Sequence, residues 1–433
     1  MNGRKEHSNP MKPAYAADVQ RAPARVDLLK YARLIVTKGS GAGATLALNI
    51  LLARLLVPEH AGTIFFCVAL GTFVSLISRL GLDVACLKNI SSLNEQQQRG
   101  YFHSSLRIAL LCNVPAIAAG LLVVRFSATT APAFEPAALL FAAAALGLSL
   151  TNIASETLKA KQHTSEGLFW QTAFQPTLTL LLVLLLGSEL ETVAGCFAAS
   201  YLLTAVLSIA RARMRLLRAV QPPPIGWKAI TALSAPLMFI ALMNSVIELS
   251  DTLLLGMLRS ASDVSLYYIA AKLAALSTTL LFVINGTIAP EISRRWAQDD
   301  RAGTFALVHR YSKAMLGLAL LILVGMVTLH DPILGVFGEQ YREHAVFPLL
   351  VLAAGYFFVL AAGPLGIFMT MTGNHRQYLN NNMLACALNI VLNLLLIPPY
   401  GVNGACFATA VALLVKNLLL YLQFRKLERS PLS

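Results

Sequence analysis

Runs of about twenty apolar residues recur roughly a dozen times between Tyr31 and Leu422, separated by short polar loops. A helix needs about 20 such residues to cross a hydrocarbon core of about 30 Å. Hydrocarbon offers no partner to a bare amide or carbonyl, so a chain with this pattern folds as a bundle of spanning helices. Composition agrees, since 57% hydrophobic residues against 13% charged excludes an ordinary soluble domain. The spans read 31–57, 62–80, 104–124, 132–155, 168–187 and 191–210, then 229–257, 264–289, 310–329, 345–370, 379–397 and 402–424.

The formal net charge of +13 could suggest nucleic acid, but the placement of the bases argues against that partner. They fall in alternate loops: Lys88 and Arg99; Lys159 and Lys161; Arg211, Arg213, Arg215 and Arg218; Arg294, Arg295 and Arg301; Arg376. The tails add Arg4, Lys5, Lys12, Arg21, Arg25 and Lys30 at one end and Arg425, Lys426 and Arg429 at the other. The intervening loops are acidic, with Glu59, Glu135, Glu189, Glu191, Asp263, Asp331, Glu339 and Glu343. By the positive-inside rule both termini are expected to face the cytoplasm, in a multi-pass protein of inner-membrane type.

The chain divides into a basic tail (1–30), a six-helix half (31–210), a linker (211–228), a second half (229–424) and a tail (425–433). Pro222, Pro223 and Pro224 cannot continue a helix and mark the linker. Val193-Ala194-Gly195-Cys196-Phe197-Ala198 lines up with Asn403-Gly404-Ala405-Cys406-Phe407-Ala408, each opening the last span of its half. Two six-helix repeats are the architecture of many secondary transporters, which hold a central site between the halves.

Cys67, Cys86, Cys112, Cys196, Cys386 and Cys406 lie in or beside the spans with no CxxC pair, so neither disulfides nor a metal site is expected. Gly39-Ser40-Gly41-Ala42-Gly43-Ala44 follows no strand and precedes no Lys-Ser/Thr, so it reads as small-residue helix packing and not as a nucleotide loop. No catalytic residue and no cofactor are expected beyond a coupling proton or Na⁺.

Residues 388–410 read LNIVLNLLLIPPYGVNGACFATA. Asn389 and Asn393 are four apart and share a helix face, from which they can bond to a neighbour. Pro398-Pro399 should end that helix, Gly401 suits the turn, and Gly404, Ala405 and Ala408 let the next helix pack closely. This segment resembles the penultimate hairpin of the polysaccharide exporters in the multidrug/oligosaccharidyl-lipid/polysaccharide superfamily. Three more stretches resemble that family in order: Ala53-Arg54-Leu55-Leu56-Val57-Pro58-Glu59-His60-Ala61-Gly62; Tyr267-Tyr268-Ile269-Ala270-Ala271-Lys272-Leu273 with Ala289-Pro290-Glu291-Ile292-Ser293; and Asp331-Pro332-Ile333-Leu334-Gly335-Val336-Phe337-Gly338. The resemblance covers nearly all of 30–424. It implies an all-α, MATE-like fold of about twelve helices in two six-helix lobes. It also implies a flippase of a bacterial inner membrane that moves an undecaprenyl-diphosphate-linked oligosaccharide by ion-coupled alternating access for lipopolysaccharide or exopolysaccharide, alongside membrane lipids, a polymerase and chain-length machinery.

An ionisable group deep in a span costs about 2.5–3.5 kcal/mol on insertion scales, so each needs a reason. Asp251 and Lys272 lie at similar depths in antiparallel neighbours and are expected to meet, with Glu248 three residues before Asp251 on the same face. Read structurally, the two form an ion pair that holds the hairpin. Read functionally, Lys272 binds the cargo diphosphate while Glu248 or Asp251 exchanges the coupling ion. Lys416, Lys38 and Arg54 are further substrate-binding candidates, weighed against snorkelling to an interface. The rival readings are a MATE-type drug or organic-cation antiporter, which needs an acidic and aromatic cavity, and a membrane-bound polymerase or ligase, which needs a larger external loop than this chain has.

Overall fold

The computed structural model describes residues 28–91, 93–127, 134–216 and 227–429. The basic tail up to residue 27, the linker prolines with Arg218, and the last four residues lie outside them. Eighteen α-helices follow in order. The first bundle holds α1 (Leu28–Leu55), α2 (Pro58–Ser78), α3 (Leu82–Ile90), α4 (Glu95–Phe126) and α5 (Phe134–Ala160). It continues with α6 (Thr164–Leu168), a π-helical turn (Phe169–Ala173), α7 (Phe174–Leu186) and α8 (Leu190–Arg215). The second bundle holds α9 (Trp227–Leu258), α10 (Ala261–Leu276), α11 (Thr278–Ala297), α12 (Arg301–Thr328), α13 (His330–Gly335) and α14 (Glu339–His344). It ends with α15 (Val346–Ala362), α16 (Leu365–Met371), α17 (His375–Tyr400) and α18 (Val402–Arg429).

Among the described residues, nine helical stretches are long and apolar enough to cross a membrane, and two bent pairs raise the number to eleven. The 32-residue α9 makes about twelve, as the sequence pattern predicts. The bent pairs are α10–α11, which turns by 42°, and α15–α16, by 44°. The outer surface is apolar as lipid requires, and several polar side chains are buried within the apolar interior. Leu111, Val114 and Leu185 are 70–79% exposed, whereas Ser149, Ser155, Ser200 and Asn113 are buried. Helices associate in lipid by close packing and interhelical hydrogen bonds, and the first bundle has both, with Phe65, Phe66, Leu140 and Phe141 packed in its apolar core. Asn113 Nδ2 donates to Ser149 Oγ over 3.2 Å, and the Thr179 and Ser200 hydroxyls lie 2.6 Å apart.

Side-chain caps mark the starts of α4, α10 and α12. Asn94 and Gln97 form a capping box on α4, and Asp300 Oδ1 accepts from the Gly303 amide over 2.8 Å at the start of α12. Four expectations need correction. Residues 82–90, read as loop, form α3, whose Leu82, Ala85, Cys86 and Ile90 are buried. The arginines placed in the linker extend α8, whose last turn carries Arg213 and Arg215. Likewise, Arg425, Lys426 and Arg429, read as tail, continue α18. Finally, α17 runs through Pro398 and Pro399 to Tyr400, because a proline's φ suits the last helical turn. It stops at Gly401, whose φ of +56° an L side chain resists and whose amide donates to Ile397 O. The Arg259 guanidinium also donates to Ile397 O, over 3.2 Å.

Candidate functional site

The most elaborate polar site in the second bundle surrounds Asp251, which is 1% exposed on α9. Its Oδ2 accepts from the Tyr267 hydroxyl and from Thr409 Oγ1, each over 2.7 Å. Its Oδ1 accepts from Asn389 Nδ2 over 3.0 Å and from Asn393 Nδ2. Four donors from α10, α17 and α18 therefore fill the roughly four lone-pair sites of one carboxylate. Ser250 Oγ donates to Asn389 Oδ1 over 2.7 Å and fixes that amide, while Asn393 Oδ1 is buried with no hydrogen-bond partner. The i, i+4 pair Asn389 and Asn393 thus does bond across to a neighbour. The close hairpin contact that brings Thr409 inward rests on Gly404, where an added Cβ would stand 2.2 Å from Leu396 O.

The expected meeting of Asp251 with Lys272 does not occur. Lys272 is exposed, and its Nζ lies 5.1 Å from the centroid of the Tyr268 ring one turn earlier. Equal depth in antiparallel helices leaves rotation about each axis undetermined, and α10 turns Tyr267 towards Asp251 and Lys272 away. Glu248 is exposed, one turn from the buried Asp251.

Lys272 lies instead beside the seam between the bundles. Tyr268 stacks on Phe65 of α2, with ring centroids 4.2 Å apart and planes within 11°. On the other side of the seam, Lys38 of α1 places Nζ 4.0 Å from the centroid of Phe282 on α11. Lys38 also feels the charges of Lys159 and Glu248. Among the described residues neither Lys38 nor Lys272 has an ion-pair partner.

Sequence reasoning passed over a second cluster in the first bundle. Lys159 Nζ donates to Glu156 Oε1 over 2.7 Å and to Gln171 Oε1 over 2.5 Å. Gln171 Nε2 donates in turn to Asn152 Oδ1 over 2.7 Å. Gln171 sits in the π-helical turn, a form common at functional sites. Gly41 of α1 packs on that turn, where an added Cβ would be 2.8 Å from Thr172 O. In the sequence Lys159 counts among the loop bases and Glu156 lies at a helix end, where solvated charge is ordinary. The polar residues Asn152 and Gln171 at matching depth were the available signal.

Two other candidates have different settings. Arg54 is exposed in the last turn of α1, where Nε donates to Val336 O over 2.6 Å and Nη2 to Gly335 O over 3.5 Å. It therefore ties the first bundle to the loop after α13, beside Gln340, whose Nε2 donates to Ala53 O over 3.4 Å. Lys416 is half-buried on α18 and has no hydrogen bond or ion pair among the described residues. No group of three or more His, Cys, Asp or Glu side chains able to hold a metal occurs among the described residues.

Comparison with known proteins bears on this arrangement. Residues 30–296 match the family described as polysaccharide biosynthesis protein, and residues 236–395 match the MatE family. The probable low-salt glycan biosynthesis flippase Agl15 of Haloferax volcanii is 25% identical over 179 residues, 39% of this chain. That match spans 36% of the relative's own length. A solved structure of the lipid II flippase MurJ, inward closed, superposes with a TM-score of 0.75 at 14% identity, covering 92% of this chain and 87% of that one. An inward-facing multidrug resistance MATE transporter of the MOP superfamily gives 0.73 at 14% identity, covering 90% and 96%. At such identities the structural likeness speaks for the fold: an all-α bundle pair of the MATE and MurJ type.

Proposed function

The chain belongs to the polysaccharide biosynthesis protein family, and on that premise we propose that it is a flippase for an oligosaccharide linked to undecaprenyl diphosphate. It is a multi-pass membrane transporter, as its relatives are, and not an enzyme. The family match over 30–296 carries this reading. The cargo's diphosphate and sugar cannot cross hydrocarbon, so the protein must give them a polar route while the lipid tail stays in the bilayer. The seam supports that demand. Lys38 and Lys272 offer unpaired cations to an anionic group, and the Lys159–Glu156–Gln171 cluster lies close to Lys38. Meanwhile α1 packs on its own neighbours α2, α6 and α7, and α11 on α12, α15 and α16, which leaves the α1–α11 side as the natural lateral exit for a tail.

Pickup takes place at the end of the bundle that bears the basic loops, which faces the cytoplasm together with both termini. Arg54 acts at the opposite end as a tie between the bundles more than as a cargo ligand. Lys416, half-buried on α18, is the second bundle's cationic candidate for cargo contact. Asp251 exchanges the coupling ion, and Glu248 at the seam is the alternative. A proton fits Asp251 at Oδ2, because both partners of that oxygen are hydroxyls that can rotate to accept. Na⁺ would instead draw on the same carboxylate with Thr409 Oγ1 and the unpartnered Asn393 Oδ1. A polysaccharide polymerase and chain-length proteins are the expected partners.

The test compares a strain lacking the protein with strains carrying wild type, Lys38→Ala or Lys272→Ala. Inner-leaflet accumulation of lipid-linked saccharide, relieved by wild type and poorly by either variant, is the expected result. Normal surface glycan with no accumulation overturns the flippase reading. The MatE match at 236–395 would then favour a drug or organic-cation antiporter, read out as resistance.

A further inference from the structure

A cavity of about 390 Å³ opens on the first bundle at its basic end. It is lined by Arg99, His103, Leu106, Arg107 and Leu110 of α4, Leu150 of α5, and Ile209 and Arg213 of α8, with nothing from the second bundle. Arg99, His103 and Arg107 repeat at i, i+4 and i+8 and so share one helix face. His103 feels the charges of all three arginines, and its Nε2 is buried without a hydrogen-bond partner. Several arginines elsewhere at this end pair with acids, whereas Arg376 is a single exposed base that faces no other cation across a cavity. Arg211 and Arg215 hold Glu166, Arg294 and Arg295 hold Glu291, and Arg425 holds Glu428. Arg99, Arg107 and Arg213 have no acid partner among the described residues.

The positive-inside rule accounts for arginines at this end but not for three converging, unpaired, on one cavity. Like charges at close range repel, and the arrangement is stable when an anion sits among them. Guanidinium groups bind phosphate with paired N–H donors. The rest of the cavity identifies what carries the phosphate. Below Arg107 the same face of α4 continues with Leu110 and Val114, which are 45% and 70% exposed, beside the cavity-lining Leu150 and Ile209. A cationic rim above an exposed apolar track matches a phospholipid, headgroup to the arginines and acyl chain along α4, whereas free phosphate has no use for the track. We propose that this cavity binds the phosphate headgroup of an anionic phospholipid, at a site separate from the path between the bundles.

The full-length protein is placed in phosphatidylcholine nanodiscs doped with phosphatidylglycerol or cardiolipin, and retained lipid is counted by native mass spectrometry. A charge-matched control removes three exposed bases outside the cavity (Lys88→Gln, Lys313→Gln and Arg376→Gln). Each cation near an anionic lipid is worth roughly fivefold in binding, so Arg99→Gln with Arg107→Gln and Arg213→Gln should weaken retention about a hundredfold while the control retains lipid as wild type does. Equal retention by triple variant and control overturns the proposal. Leu110→Trp fills the apolar track and spares the cations, so it should also lose lipid; undiminished retention overturns the assignment of the track. Inorganic phosphate is added to the protein in neutral discs as the second arm. No rise in melting temperature is expected, and a rise equal to that given by phosphatidylglycerol overturns the lipid in favour of free phosphate.

Discussion

A buried carboxylate that receives four hydrogen bonds is held by all of them and tolerates the loss of few. Hydrogen bonds to a charged group contribute about 1.5–3 kcal/mol each, and donors left unpaired add their own desolvation cost. Asp251→Leu strands the Asn393 amide and leaves the Thr409 hydroxyl without its acceptor, while Asn389 Nδ2 and the Tyr267 hydroxyl keep only Thr409 Oγ1, over 3.2 and 3.4 Å. It should destabilise by about 3–5 kcal/mol, the range for breaking a buried charged pair, as a large fall in melting temperature in detergent. Asp251→Asn behaves differently. An amide whose oxygen replaces Oδ1 still accepts from both asparagines, and its nitrogen can donate to the two hydroxyls once they rotate. That variant should stay within about 1 kcal/mol of wild type yet lose coupling to the ion gradient, measured as transport that no longer responds to pH or Na⁺. Equal damage from both variants would leave Asp251 a structural group alone. Asp251, Asn389 and Asn393 were legible in the sequence because charge and amide are costly in an apolar span. The false pairing with Lys272 arose because spacing fixes depth and not azimuth. Glu156 and Lys159 escaped notice for a related reason, since their Gln171 partner reaches them through a π-helical turn that shifts helix phase.

At the scale of elements, glycines that look alike in sequence do different work. Gly39, Gly41 and Gly43 form one small-residue run, yet an added Cβ meets the Thr172 backbone at Gly41 and nothing within 4 Å at Gly39 or Gly43. Gly41→Leu should therefore cost about 1–3 kcal/mol through overpacking against the π-helical turn. Gly39→Ala and Gly43→Ala should be neutral or stabilising by up to about 1 kcal/mol through helix propensity, with the ranking read from thermal unfolding. The run was legible as helix packing, but which member packs depends on where α6 and α7 lie. The bends at Ser277 and Gly363 were hidden in the same way. Each falls inside an unbroken apolar run, 264–289 or 345–370, and hydropathy carries no record of direction.

For the whole molecule, the apolar runs give the number and order of spans, but they do not reveal that the Ala53–Gly62 stretch closes the seam between the bundles. Gly62 of α2 lies so near α10 that an added Cβ would fall 1.7 Å from Ala261 O. The Arg54 and Gln340 side chains complete the acidic-end closure through backbone carbonyls, which any residue supplies. Under the alternating access that the family resemblance implies, this closure would open once per cycle and its strength would set the balance between states. A typical hydrogen bond contributes about 0.5–1.5 kcal/mol net, so removing both side chains should shift that balance about tenfold towards the open form. The Arg54→Ala, Gln340→Ala double variant should accordingly label faster with a water-soluble maleimide at Ala261→Cys. Gly62→Ala should open the same end by steric force. Joining Arg54→Cys to Val336→Cys with a short cleavable bifunctional thiol reagent should do the reverse and stop translocation until the link is reduced. Translocation that continues at the wild-type rate with the link intact would mean that the acidic end does not part during the cycle, and the two-bundle mechanism would fail with it.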